Sequence, residues 1–88
     1  MQVKVVGFTS PFNWSKGDRK GQGMRVNVLR VPFSYENNVT GLVADSIYLD
    51  SSMFNLIPDG SFVLNTDYIF DYSSDGRRSY LSAISVVK

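Results

Sequence analysis

The sequence predicts a small all-β domain: five short strands in a small barrel or sandwich, with a closed barrel as the first choice. Three observations point there. Apolar residues alternate with polar ones over short runs, the period of a half-buried strand. Turn-forming clusters such as Glu36-Asn37-Asn38, Pro58-Asp59-Gly60 and Asp75-Gly76 punctuate those runs. No run holds a helical period beyond a single turn.

The first strand is read at residues 2–8, where Val3 and Val5 alternate with Gln2 and Lys4 before Gly7 loosens the pattern. Thr9 to Trp14 reads as a strand end or bend, with Phe12 and Trp14 two apart and therefore on one face. Lys16 to Gly23 is a glycine-rich segment, expected to be flexible. Met24 to Val31 follows as the second strand and the return arm of a protruding hairpin. Met24, Val26 and Val28 form one face, and Arg25 and Asn27 the other. The alternation slips at Val28-Leu29, which predicts a bulge or a change of face, and Pro32 demotes or ends the pairing.

Gly41 to Asp50 is the third strand, with both faces partly apolar, as in a central or dimer-facing strand. Ser51 to Ser61 is irregular, with room for one helical turn between Ser52 and Leu56. Phe62 to Leu64 either extends the next strand backwards or is set off from it by a turn. Tyr68, Phe70 and Tyr72 mark the fourth strand. Ser73 to Gly76 is read as a tight hairpin, because Asp-Gly supplies left-handed positions. Arg77 to Val87 is the fifth strand, with Arg77 and Arg78 placing positive charge at the loop tip. Among small barrels, the five-stranded oligonucleotide-binding (OB-like) type suits this size.

At 88 residues the chain is a single domain (1–88), near the lower limit for one self-sufficient core, where oligomerisation is common. Twelve Phe, Trp and Tyr supply material for that core and argue against disorder. There is no cysteine, so no disulfide framework, which fits an intracellular protein. No signal peptide is evident, and no apolar run approaches the roughly 18 residues of a membrane span. A cytoplasmic protein without membrane contact is the expectation.

Charge is strongly segregated. Five of the nine basic residues (Lys16, Arg19, Lys20, Arg25 and Arg30) lie between Lys16 and Val31, against the single acid Asp18. From Val31 to Gly76 there is no Lys or Arg, while seven of the eight acids fall there. A net charge of +1 conceals a cationic ribbon on an acidic body, which a polyanion would select. The alternative is a solvated loop that serves solubility alone.

Catalysis has little to draw on. Without His or Cys, the usual general base, activated nucleophile and zinc ligands are missing. The aspartates match no calcium-loop spacing, and Gly21-Gln22-Gly23 precedes a strand rather than a helix, unlike a dinucleotide or phosphate loop. No catalytic residue, metal or cofactor is expected. Single-stranded nucleic acid, by contrast, needs cations along phosphates and aromatics for bases. Lys16, Arg19, Lys20, Arg25 and Arg30 suit the first task, and Trp14, Phe33, Tyr35 and Tyr48 suit the second. Core packing is the competing role for each of these aromatics.

The chain resembles the filamentous-phage gene V type of single-stranded-DNA-binding proteins, including relatives in phages and mobile elements of Gram-positive bacteria. The resemblance spans nearly the whole length. It rests on the basic segment ending in Gln22-Gly23 before a strand, on Gly41-Leu42 leading into Ile47-Tyr48-Leu49-Asp50, and on a terminal hairpin closing on Ile84-Ser85-Val86-Val87-Lys88. It implies an OB-type barrel, a two-fold homodimer, and cooperative coating of single strands during replication of a phage or mobile element in a bacterial cytoplasm. Lys16, Arg19, Lys20 and Arg25 would occupy the family's binding wing, and Arg77 and Arg78 its second DNA-contacting hairpin. Two departures stand out. Val26 stands where the family's wing strand carries a stacking aromatic. Asp75-Gly76-Arg77 replaces the second hairpin's aromatic, in a shorter hairpin. Stacking then falls to Trp14, Phe33 or Tyr35, or binding is more electrostatic. Single-stranded RNA would be held by the same chemistry. A reading of another class is a protein-interaction module working through the acidic, aromatic segment Tyr68, Phe70, Asp71 and Tyr72.

Overall fold

A computed structural model describes all 88 residues. Its six strands form one antiparallel sheet: β1 (Gln2–Phe8), β2 (Phe12–Lys16), β3 (Arg19–Arg30), β4 (Val43–Asp50), β5 (Thr66–Ser74) and β6 (Ser79–Val86). β3 organises them. Its alternation is as expected, with Met24, Val26 and Val28 buried and Arg25 and Asn27 exposed. One edge pairs β4 from Gly23 to Arg30. The other pairs β2 from Arg19 to Gly23 and then β1 from Val26 to Leu29. β1 continues the sheet to β5, and β5 to β6.

The sheet does not close, which corrects the five-stranded OB-like barrel. No Cα of β4 comes within 8 Å of one in β6, whereas paired strands lie about 4.8 Å apart. Two features of the sequence account for this. β2, an unexpected sixth strand, pairs with the overhanging end of β3 instead of extending the body. The space beside β4 and β6 is filled by the 3-10 turn Ser51–Leu56, whose Met53, Phe54 and Leu56 pack on the core. Asp50 starts that turn by accepting the Ser52 amide at 3.2 Å.

The core comprises twelve buried residues: ten drawn from every strand except β2, with Ile57 and Phe62. Phe62 is its aromatic hub: edge-on to Tyr68 at 5.1 Å and stacked on Phe70 at 6.0 Å. The buried Tyr68 hydroxyl accepts the Val63 amide at 2.9 Å, so its burial leaves no orphaned polar atom. Phe62–Leu64 is set off from β5 by a turn, with Asn65 at φ 62°.

Other expectations shift locally. Bulges lie in β1 at Val6 and in β6 at Ser82, not at Val28-Leu29, where β3 pairs β4 without interruption. Leu29 breaks the apolar alternation because it is a partly buried residue on the outer face. β4 is an edge strand rather than a central one. The final hairpin turn is longer than expected, spanning Asp75 to Arg78 between the Ser74–Ser79 pair. The Asp75 carboxylate accepts the amides of Arg77 and Arg78 at 3.0 and 3.1 Å, and only Gly76 adopts positive φ. No helix is long and apolar enough to cross a membrane.

Candidate nucleic-acid interface

The overhanging hairpin of β2 and β3 turns at Gly17-Asp18. Gly17, at φ 61°, supplies the left-handed conformation that a two-residue hairpin turn needs at its first position. The glycine-rich segment is therefore not a loose loop. It is paired strand, with Lys16 opposite Arg19, Trp14 opposite Gly21, and Phe12 opposite Gly23. Residues directly opposite share a face. Phe12, Trp14, Lys16, Arg19, Gly21, Gly23 and Arg25 thus lie on the outer face, while Lys20 and Gln22 lie on the other. Tyr48, opposite Arg25 on β4, joins the outer face.

The two glycines have a specific role on that face. A Cβ on Gly21 would collide with the Trp14 indole, and one on Gly23 with the Tyr48 ring. Each ring lies against bare strand backbone, covering a position that glycine would otherwise leave without side-chain packing. Trp14 Nε1 donates to the Tyr48 hydroxyl at 2.6 Å, and Phe12 meets Tyr48 edge-on at 6.4 Å. The three rings form a partly exposed aromatic strip fixed by strand pairing, glycine contact and one hydrogen bond. An open cavity of about 540 Å³ lies along the hairpin's other face, lined by Asn13, Ser15, Lys20 and Gln22 with Trp14 and Gly21 at its border.

Lys16, Arg19, Lys20 and Arg25 are exposed, and none forms an ion pair. Arg30 differs and leaves the expected interface. Its guanidinium bonds both Glu36 oxygens at 2.7 and 3.2 Å, reaches Asp45 at 3.3 Å, and lies 4.0 Å above the Phe33 ring. Glu36 also accepts the Phe33 amide at 2.8 Å. The Arg30 bond, followed by the Phe33 amide, holds the Glu36 carboxyl below its ordinary pKa. Phe33 is occupied by this clamp, and Tyr35 packs beside it at 5.6 Å. Five residues of strand at about 3.3 Å each put this cluster on the order of 17 Å beyond Arg25 and Tyr48, the inner end of the strip. Phe33 and Tyr35 are thus separate from the hairpin strip.

Arg77 and Arg78 are exposed in the β5–β6 loop, and Arg78 lines a groove that also includes Tyr48. The acidic, aromatic segment of the interaction-module reading does not form a surface. Tyr68 and Phe70 are fully buried, leaving Asp71 and Tyr72 outside. No group of three or more His, Cys, Asp or Glu side chains comes together.

The pairing of glycines with rings was missed in the sequence, although its signal is there. Phe12 and Trp14 stand as far before the Gly17-Asp18 turn as Gly23 and Gly21 stand after it. Tyr48 arrives from a distant segment, through β3–β4 register alone. No family model, curated protein or solved structure matches the chain, so the interface rests on its own geometry.

Proposed function

We propose that this protein binds single-stranded DNA without catalysing a reaction, using the outer face of the β2–β3 hairpin. The observation that carries the reading is the placement of Trp14 and Tyr48 on Gly21 and Gly23, between exposed, unpaired Lys16, Arg19 and Arg25. Cations along the hairpin neutralise phosphates, and the rings stack on bases at about 1–3 kcal/mol each. A strip held by strand pairing needs little reordering on binding. Lys20, on the other face, adds charge at the tip. Coating and protecting single strands during replication of a phage or mobile element, in a bacterial cytoplasm, follows from the gene V resemblance. The open sheet departs from the barrel which that resemblance implies, so the hairpin supports the proposal and the fold does not. A homodimer belongs to the same reading. β4 and β6 each leave an edge unpaired, and β6 carries no charged residue to repel a second copy.

Fluorescence anisotropy with labelled oligothymidine and a duplex of equal length tests the proposal. Tighter binding of the single strand is expected. Equal or tighter binding of the duplex, or none of either, would overturn it. The matching oligouridine shows whether a ribose 2′-hydroxyl is accepted.

A further inference from the structure

The reverse face of the β2–β3 hairpin carries side chains that the fold leaves unused. Asn13 stands directly opposite Gln22, and Ser15 directly opposite Lys20, so the four share that face. All are exposed, and they line the open cavity that Trp14 and Gly21 border. None of the four side chains bonds another group in the chain. Among the paired residues of the hairpin, this face has no apolar side chain to extend the core and no acid to neutralise Lys20. Asn13 also breaks local preference. Asparagine favours turns and is depleted from strands, yet here it lies inside the five-residue β2. A departure from local preference with no return in packing marks a place where the sequence serves a ligand.

The chemistry of the face selects the occupant. A carboxamide presents a donor and an acceptor side by side, which matches the N6 amino group of adenine and the ring nitrogen next to it. Single strands leave those edges free to be read. Cytosine's amino group calls for a carboxylate, and thymine's methyl for an apolar contact; this face has neither. Lys20 supplies the cation for a phosphate. Access comes from the edge of the hairpin. β2 pairs with β3 alone, so its outer edge is open. Trp14 belongs to the outer strip and also borders the cavity. A strand that stacks one base on Trp14 can turn round that edge and set the next base against Asn13 and Gln22.

We infer that the reverse face of the hairpin is a base-reading subsite for adenine, in which Asn13 and Gln22 bond the base edge and Lys20 the adjoining phosphate. The inference rests on the single-strand reading of the hairpin and adds a base preference to it.

Two measurements test it. The first compares three oligothymidines of about twelve nucleotides, within the span of known single-strand sites. One is unaltered, one carries a single central adenine, and one carries purine there, which is adenine without its amino group. Purine keeps the two-ring stacking surface and loses the N6 bond on either edge. The adenine oligomer should bind on the order of tenfold tighter than the purine oligomer. The double variant Asn13→Ala, Gln22→Ala should lose that advantage and keep its affinity for the unaltered oligothymidine. Equal affinity of the unaltered protein for adenine and purine overturns the subsite and leaves the hairpin reading intact. An advantage that survives the double substitution overturns it too, as does an equal loss of affinity for all three oligomers. Failure of the unaltered protein to bind any of them overturns both readings. The second measurement needs no variant. The side-chain amide NMR signals of Asn13 and Gln22 should shift with the adenine oligomer beyond any change with the unaltered oligothymidine; identical shifts with the two overturn the subsite.

Discussion

At the outer end of β3, Arg19 is exposed with no acid in bonding range, whereas at the inner end Arg30 is 7% exposed and held between Glu36 and Asp45. The two arginines share a strand and a cluster in the sequence. What separates them is the company brought by other segments. Glu36 comes from the loop after β3, and Asp45 from β4, where it stands opposite Val28 and diagonal to Arg30. Arg30 ties residues 31–42 to the sheet; Arg19 is left free for a partner in solution. A cluster of like charges thus divides into ligand-seeking and structural members according to which acids the fold delivers.

Neutralising the outer end should have the largest effect on binding. If Lys16, Arg19 and Lys20 each meet a phosphate, changing all three to alanine removes about two units from the log–log salt slope, at about 0.7 per single-strand phosphate. Isothermal titration over a salt series reads this, and Arg30→Gln should leave the slope unchanged. A smaller effect is expected from Gly21→Val, which displaces the Trp14 ring. It should weaken binding on the order of tenfold through lost stacking and shift Trp14 emission before any DNA is added. Arg30→Met inverts the pattern. It leaves Glu36 and Asp45 without their cation, so thermal denaturation should show a lower midpoint while hairpin binding persists at low temperature. The smallest effect is in acid. Glu36 has a depressed pKa, so its stabilising contribution is complete above the ordinary carboxylate value, about 4.3. That contribution is lost as pH falls below this range through the folded value. Solvent exchange of the Phe33 amide, which Glu36 accepts, should accelerate there beyond the intrinsic pH dependence, while the hairpin amides show no matching change.

Local pattern made much of this legible in advance. The alternation in β1, the inner part of β3 and β5 grouped Val3 with Val5, Met24 with Val26 and Val28, and Tyr68 with Phe70 and Tyr72; all are buried except Tyr72, which lies beyond the register shift in the β5–β6 pairing. The charge segregation located the basic hairpin. Closure was not legible, because whether β4 and β6 meet depends on where the 51–61 segment packs, and no periodicity encodes that. The roles of Arg30 and Tyr48 were hidden for a related reason. The acids that hold Arg30 stand six and fifteen residues away, and the Trp14 that bonds Tyr48 stands thirty-four away, brought together by pairing and loop geometry. The glycines misled in the opposite direction. They read as flexibility, yet they are flat places on a strand where rings lie.

The central claim is that the hairpin holds a stacking strip among free cations, and Trp14, the only tryptophan, reports on it directly. Titration with poly(dT) at several salt concentrations should quench Trp14 fluorescence, with affinity falling steeply as salt rises. Binding with unchanged Trp14 emission would contradict the stacking strip, and no binding even at low salt would contradict the function itself.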